Sequence, residues 1–165
     1  AVGVTFQQGA LFGSRTIGEN VAAPLQEHTD LSDALIESLV ELKLGMVSMA
    51  DAIHRMPGEL SGGMQKRAAI ARALALDPRI LFFDEPSAGL DPLTAASLDE
   101  LIVYLNRSLE CTIVVITHEM QSCLRIADRI VFLHDGRVTE TGTKEEITRS
   151  ANPRIQRFLQ ASGAD

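Results

Sequence analysis

Two acidic residues stand together at the end of an apolar run in the middle of the chain. The run Ile80–Phe83 is followed at once by Asp84 and Glu85. A short apolar run bounded by turn residues is typical of a strand buried in a parallel sheet, and such sheets bind ligands at their carboxyl edge. Asp84 is suited there to hold Mg²⁺, and Glu85 to polarise a water molecule for attack on phosphorus. The alternative is a strand end that carries two solvated carboxylates.

A serine and two glycines at positions 61–63 could bind an anion. Ser61 is the expected N-cap of a helix, and Gly62 and Gly63 would present backbone N–H groups with no side chain in the way. The positive end of the helix dipole adds to the attraction. An ordinary capped helix after a glycine-rich turn is the alternative. Residues 65–67 would in that case lie on the exposed face of its first turn.

Two further polar positions follow predicted strands. Gln7 and Gln8 come after the strand at 1–6, where a side-chain amide could reach a metal ion or a water molecule. His118 comes after the strand at 112–117, where its imidazole could hydrogen-bond a terminal phosphate. A polar turn and a structural histidine are the alternatives.

The elements that must position these groups alternate between strands and helices. Buried strands are predicted at 80–83, 112–117 and 130–133, and a tight hairpin turn at Asp135–Gly136. Helical spacing predicts helices at 31–44, 49–56, 61–75, 93–109 and 120–127, the first with Asp30 as N-cap and Gly45 as its stop. This alternation predicts an α/β fold with a parallel sheet. We expect 18–75 to form a small helical subdomain, and 1–17 with 76–165 to form the α/β core.

Composition bounds the function. The chain has 165 residues, of which 45% are hydrophobic and 22% charged, values typical of one globular domain. Its formal charge of −7, without a basic stripe, argues against binding a nucleic-acid backbone. The longest purely aliphatic or aromatic runs have four residues, whereas a membrane span needs about 20.

The order and spacing of the motifs resemble the ATP-binding-cassette (ABC) ATPases over essentially the whole chain. The series is Gln7, LSGGM at 60–64, ILFFDE at 80–85, SAGLD at 87–91 and His118. The resemblance implies a P-loop NTPase-like parallel sheet core with a small helical subdomain. It also implies that ATP and Mg²⁺ are bound by the full-length protein.

The resemblance implies a role for each matched residue. Gln7, in preference to Gln8, would contact Mg²⁺ and water, and Asp84 would hold the Mg²⁺. Glu85 would be the catalytic base, and His118 would lie near the γ-phosphate. The ATP of the opposite subunit would be contacted by Ser61, Gly62 and Gly63, and Asp91 would communicate across the dimer.

One family motif, the phosphate loop G-x-x-x-x-G-K-[ST], has no counterpart in the chain, and neither does the aromatic residue that stacks on adenine. In the family both lie upstream of the Gln7 position. We therefore expect a domain truncated before that glutamine, which alone binds ATP weakly or not at all and does not hydrolyse it. The family strand that feeds the loop lies between the strands at 112–117 and 130–133. Its absence predicts unpaired strand edges, offset by strand exchange, sheet rearrangement or local disorder.

Three segments are similar to the Mla/Mce group, the bacterial lipid-transport ATPases also called organic-solvent-resistance ATPases. These are QQGALF at 7–12, ENVAAPL at 19–25 and NPRIQRFL at 152–159. The similarity implies a homodimer bound to a transmembrane permease at the cytoplasmic face of the inner membrane. The ATPase of a methionine-type amino-acid importer is the alternative. A DNA-repair ATPase fits less well, because only 52 residues without heptads separate Gln7 from Leu60. A non-catalytic module is a third possibility.

Overall fold

A three-stranded parallel sheet lies in the first of two units into which the chain divides. The computed structural model describes residues 1–163, and the units are Ala1–Ile116 and Thr117–Asp165. In the first unit, β1 (Val2–Thr5), β2 (Ile80–Asp84) and β3 (Thr112–Ile116) lie in the order β1-β2-β3. All pairings in this sheet are parallel, which confirms the α/β prediction.

The register brings the carboxyl ends of the three strands to one edge. Thr5 lies opposite Phe83, and Asp84 lies opposite Ile116. The residues that follow β1 and β2 therefore leave the sheet at the same side. The predicted site residues that follow β1 and β2 are thus neighbours by topology.

The sheet is buried on one face and open on the other. Leu81 and Phe83 are fully buried, whereas Ile80, Val114 and Ile116 are between 37% and 49% exposed. Burial of β2 and β3 on both faces, as the sequence predicted, is therefore wrong for this chain. Their apolar runs are continuous because both faces are apolar, but only the face of Leu81 and Phe83 is covered in the described residues.

Helices complete the first unit: α1 (Ile17–His28), α2 (Asp33–Met46), α3 (Gly62–Ala73) and α4 (Pro92–Leu109). Helix α1 packs on both α2 and α3. The N-cap of α2 is Ser32 rather than Asp30, and Gly45 lies inside the helix. Leu44 and Val47 are both fully buried, so the apolar stripe runs past the glycine and keeps the backbone helical.

The predicted helix at 49–56 is wrong. Single 3₁₀ turns form at Ala50–Ala52 and Pro57–Glu59 instead. A helix of eight residues has little intrinsic stability, and here Met49 and Ala52 are already buried by one turn.

The second unit contains an antiparallel hairpin of β4 (Ile130–His134) and β5 (Arg137–Gly142). Asp135 and Gly136 both have positive φ, as the predicted tight turn requires. The helices α5 (Met120–Ile126), α6 (Lys144–Thr148) and α7 (Pro153–Ala161) complete it. Its core is formed by Met120, Ile130, Ile147, Ile155 and Leu159. Burial of β4 on both faces is wrong, because Val131 and Leu133 are more than half exposed.

The described strands form two sheets rather than one. The first sheet ends at β3, and β4 pairs only with β5. This agrees with the interruption expected between these strands, while strand exchange with a second copy stays a prediction. Within residues 1–163, no helix combines the length and the apolar character needed to cross a membrane.

Candidate functional site

The carboxyl end of β2 carries the predicted carboxylates. Asp84 is the last residue of the strand, and both Asp84 and Glu85 are half-buried. Glu85 has a φ of 47°, in the left-handed region, which costs a non-glycine residue roughly 1–2 kcal/mol. Its amide donates to the carbonyl of Ile116 over 2.8 Å. Tertiary contacts thus hold the turn that presents this carboxylate.

The predicted glutamines lie in a tight turn directly after β1. The amide of Gly9 donates to the carbonyl of Phe6 over 2.7 Å, which closes the turn around Gln7 and Gln8. Both glutamine side chains are exposed. The turn therefore places two side-chain amides in solvent at the same sheet edge as Asp84 and Glu85.

Lys66, a residue of the predicted helix at 61–75, joins these two turns. The Lys66 ammonium donates to the carbonyl of Gln7 over 2.5 Å and to the carbonyl of Glu85 over 3.0 Å. Lys66 is half-buried on α3, the helix that begins at the predicted anion-binding glycines. One side chain thus connects α3, the Gln7 turn and the turn after β2.

A second cation of α3 holds the next part of the same loop. The Arg72 guanidinium donates to the carbonyls of Gly9 and Ala10 over 3.0 and 2.7 Å, and lies over the ring of Phe12. Burial lowers the pKa of Arg72 from its ordinary value. No residue type in the sequence marks either contact, because the acceptors are backbone carbonyls.

The start of α3 confirms the predicted cap and separates the two glycines. The Ser61 hydroxyl accepts from the amide of Met64 over 3.3 Å. Gly62 is exposed, whereas Gly63 is buried against α4. A Cβ at Gly63 would lie 2.5 Å from the methyl carbon of Thr94, while one at Gly62 would make only an ordinary contact with Leu90 at 3.5 Å. Gly62 is therefore open to a ligand, and Gly63 is required for close packing.

Asp91 is the N-cap of α4. Its carboxylate accepts from the amides of Leu93 and Thr94, each over 3.1 Å, and from the Thr94 hydroxyl over 2.5 Å. The hydrogen bond from the Thr94 side chain is the main cause that lowers the pKa of Asp91. The same threonine contacts the Gly63 position, so the predicted cross-dimer aspartate fixes a side chain that packs against the start of α3.

His118 belongs to the second unit. It is exposed and lies between β3 and α5, next to Thr117, whose hydroxyl accepts from the amide of Glu119 over 3.0 Å. Its convergence with Asp84 and Glu85 stays a prediction.

A groove between α1 and α2 is a second feature of the first unit. It has a volume of about 280 Å³, and its lining combines Ala22, Ile36 and Val40 with the carboxylates of Asp33 and Glu37. Both carboxylates are exposed. The groove thus has an apolar floor and an acidic rim.

Comparison with known proteins gives three kinds of match: a family profile, solved structures and curated relatives. The ABC transporter family profile matches residues 1–88, a range that includes Gln7, Ser61 and Glu85 but ends before Asp91 and His118. In solved structures, the chain is similar to a dimeric ATP-binding cassette, MJ0796, bound to ADP and Pi. The TM-score is 0.76 at 34% identity, covering 87% of this chain and 62% of that one.

Curated relatives include two ATP-binding proteins, both named MlaF, of intermembrane phospholipid transport systems. The Haemophilus influenzae protein is 43% identical over 96% of this chain and 60% of its own length. The Escherichia coli K12 protein is 44% identical over 93% of this chain and 57% of its own length. A probable ribonucleotide transport ATP-binding protein, mkl, of Mycobacterium bovis is 41% identical over 95% of this chain and 44% of its own length. The chain thus spans 60% or less of each of these relatives.

Proposed function

We propose that this chain, which belongs to the ABC transporter family, forms part of the ATP-hydrolysing subunit of a bacterial lipid transporter. The observation that carries the proposal is the placement of Gln7, Asp84 and Glu85 at one edge of a parallel sheet, with their turns joined by Lys66. Phosphoryl transfer depends on residues that hold Mg²⁺ and orient the attacking water, and these side chains suit both tasks.

The residues after β1 and β2 would act on a magnesium nucleotide. Asp84, which is half-buried, and Gln7, in the turn after β1, would supply oxygen ligands of the kind that Mg²⁺ prefers. Two protein ligands suit this cation, because it usually keeps phosphate and water oxygens as well. When bound, Mg²⁺ would neutralise charge on the phosphates. Glu85 would accept a proton from the attacking water, and His118 would hydrogen-bond the γ-phosphate.

The start of α3 would contact the nucleotide of a second subunit. Ser61 and Gly62 are exposed at a helix N-terminus, where backbone N–H groups and the helix dipole favour an anion. The similarity to a cassette whose structure is dimeric and holds ADP and Pi supports a homodimer. Asp91, which fixes Thr94 against Gly63, would couple the interface to α3.

The groove between α1 and α2 would receive a membrane partner. Its apolar floor suits a short amphipathic helix of a permease, and its acidic rim favours basic residues on that helix. Bound to such a permease, the subunit would lie at the cytoplasmic face of the bacterial inner membrane. The similarity to MlaF supports phospholipid as the cargo, and the name of the mycobacterial relative makes ribonucleotides the second candidate.

The 165-residue chain itself would not hydrolyse ATP. It contains no G-x-x-x-x-G-K-[ST] segment, and that loop supplies most contacts to the β- and γ-phosphates of nucleotides. Activity is therefore expected of a gene product that combines these residues with a phosphate loop.

The test uses that gene product, with and without its permease, in a steady-state ATPase assay and in liposomes. We expect ATP hydrolysis that depends on Mg²⁺ and drives phospholipid transfer between vesicles. Hydrolysis coupled to ribonucleotide uptake would make ribonucleotides, rather than phospholipid, the cargo. No ATP hydrolysis in the presence of the permease would contradict the proposal.

A further inference from the structure

Lys66 hydrogen-bonds to two turns, and the proposed function gives side chains of both turns a role in the same reaction. Its ammonium donates to the backbone carbonyl of Gln7 over 2.5 Å and to that of Glu85 over 3.0 Å. These carbonyls belong to the residues whose side chains would contact Mg²⁺ and the attacking water. The lysine therefore acts on the peptides from which both functional side chains project.

The same lysine is part of the helix that starts at Ser61. Five residues at a rise of about 1.5 Å each separate Lys66 from the cap by roughly 7.5 Å along the helix axis. Arg72 extends the contact, because it holds the carbonyls of Gly9 and Ala10 from the same helix. Helix α3 thus donates hydrogen bonds to the loop after β1 from two side chains, Lys66 and Arg72. It donates to the turn after β2 from Lys66.

Glu85 is the residue whose orientation depends most on such support. Its left-handed backbone is a conformation that persists only where surrounding groups hold it. The Ile116 carbonyl holds its amide, and the Lys66 ammonium holds its carbonyl. If either bond is lost, the peptide group that made it can rotate, and the Glu85 carboxylate then changes direction.

We propose that Lys66 is a positioning residue for ATP hydrolysis: it sets the Glu85 carboxylate and the Gln7 amide in one arrangement relative to the start of α3. The inference rests on the proposed function of the site. A misplacement of about 1 Å can lower a rate by about a hundredfold, so a backbone bridge at this position is expected to affect turnover.

The first experiment measures kcat and KM for Mg-ATP in the gene product that carries a phosphate loop. Lys66→Met, which removes the ammonium and keeps most of the stem, is expected to lower kcat at least about tenfold while KM changes less than about twofold. Lys66→Arg, which keeps a donor, should recover at least about a third of kcat. Lys144→Met, an exposed lysine of α6, is the matched control and should leave both constants unchanged.

The second experiment tests the bridge itself in the 165-residue chain, without nucleotide. The backbone carbonyl ¹³C resonances of Gln7 and Glu85 should move in Lys66→Met, and that of Val47, which accepts from Arg67, should not. Unchanged resonances of Gln7 and Glu85, or an unchanged kcat, would overturn the positioning role. If the resonances move in the 165-residue chain but the gene product that carries a phosphate loop hydrolyses no ATP, the proposed function is refuted while the bridge is established.

Discussion

The amide of Glu85 and the carbonyl of Ile116 are hydrogen-bonded over 2.8 Å, across the ends of β2 and β3. The bond continues the β2–β3 pairing by one residue beyond Asp84 and holds the left-handed turn at Glu85. The backbone from which this carboxylate projects is therefore held by a contact between the two strand ends. A neutral side chain of the same shape should occupy the same place.

The first prediction concerns Glu85→Gln in a gene product that carries a phosphate loop. We expect ATP turnover to fall about 10²- to 10⁴-fold, because an amide cannot accept the proton of the attacking water. Mg-ATP binding should be retained, since the backbone that holds residue 85 is unchanged. A steady-state ATPase assay with Glu100→Gln, an exposed glutamate of α4, is the control. Turnover in Glu85→Gln within about twofold of wild type would rule out the assigned base.

The second prediction separates the two glycines. Gly63→Ala should destabilise the protein by about 1–3 kcal/mol, because its Cβ would press on the Thr94 methyl carbon at 2.5 Å. Gly62→Ala should change stability by less than about 1 kcal/mol. Urea unfolding measures both, and Thr94→Ser provides the matched rescue, since it removes that methyl and keeps the hydroxyl bonded to Asp91. A Gly63→Ala/Thr94→Ser variant no more stable than Gly63→Ala would show that this contact is not the cause.

The third prediction is a pH dependence at the N-cap of α4. Because hydrogen bonds from Thr94 lower the pKa of Asp91 in the folded state, its carboxylate adds stability above its ordinary value near 3.8. That contribution is lost as the pH falls through the lower, folded-state pKa. Asp91→Asn keeps a side chain able to cap the helix but cannot titrate. The stability difference between wild type and Asp91→Asn, measured by urea unfolding, should therefore move in favour of the variant below about pH 4. A difference independent of pH would contradict this.

The fourth prediction concerns Arg72. Arg72→Ala should destabilise the loop at 9–12 by about 1–3 kcal/mol, because two carbonyls lose a charged donor and the Phe12 ring loses one of the two cations that lie over it, the other being Arg15. Amide hydrogen exchange should therefore be faster in this loop. Arg72→Lys should restore little of the protection, since an ammonium lacks the planar fork that holds two carbonyls at once. Arg79→Ala, at an exposed position before β2, is the control. Equal exchange in Arg72→Ala and wild type would remove this role.

Local sequence signals predicted the elements that carry the site. The Ser61 cap, the β2 strand ending at Asp84 and the Asp135–Gly136 turn each depend on a few neighbouring residues, and all three are present. Solvent exposure was predicted less well. The runs in β2, β3 and β4 are apolar on both faces of each strand, so the sequence does not indicate which face is buried by other parts of the chain. Lys66 and Arg72 were missed because their partners are backbone carbonyls 19 to 63 residues away, which carry no residue-type signal.

The most direct test of the account is a calorimetric titration of the 165-residue chain with Mg-ATP. The account holds that this chain supplies the helix start at Ser61 and the carboxylates after β2, but no phosphate loop. It therefore predicts a Kd weaker than about 1 mM, which corresponds to less than about 4 kcal/mol of binding free energy, and no release of phosphate. A Kd of about 10 µM or tighter, or measurable hydrolysis by this chain alone, would contradict it.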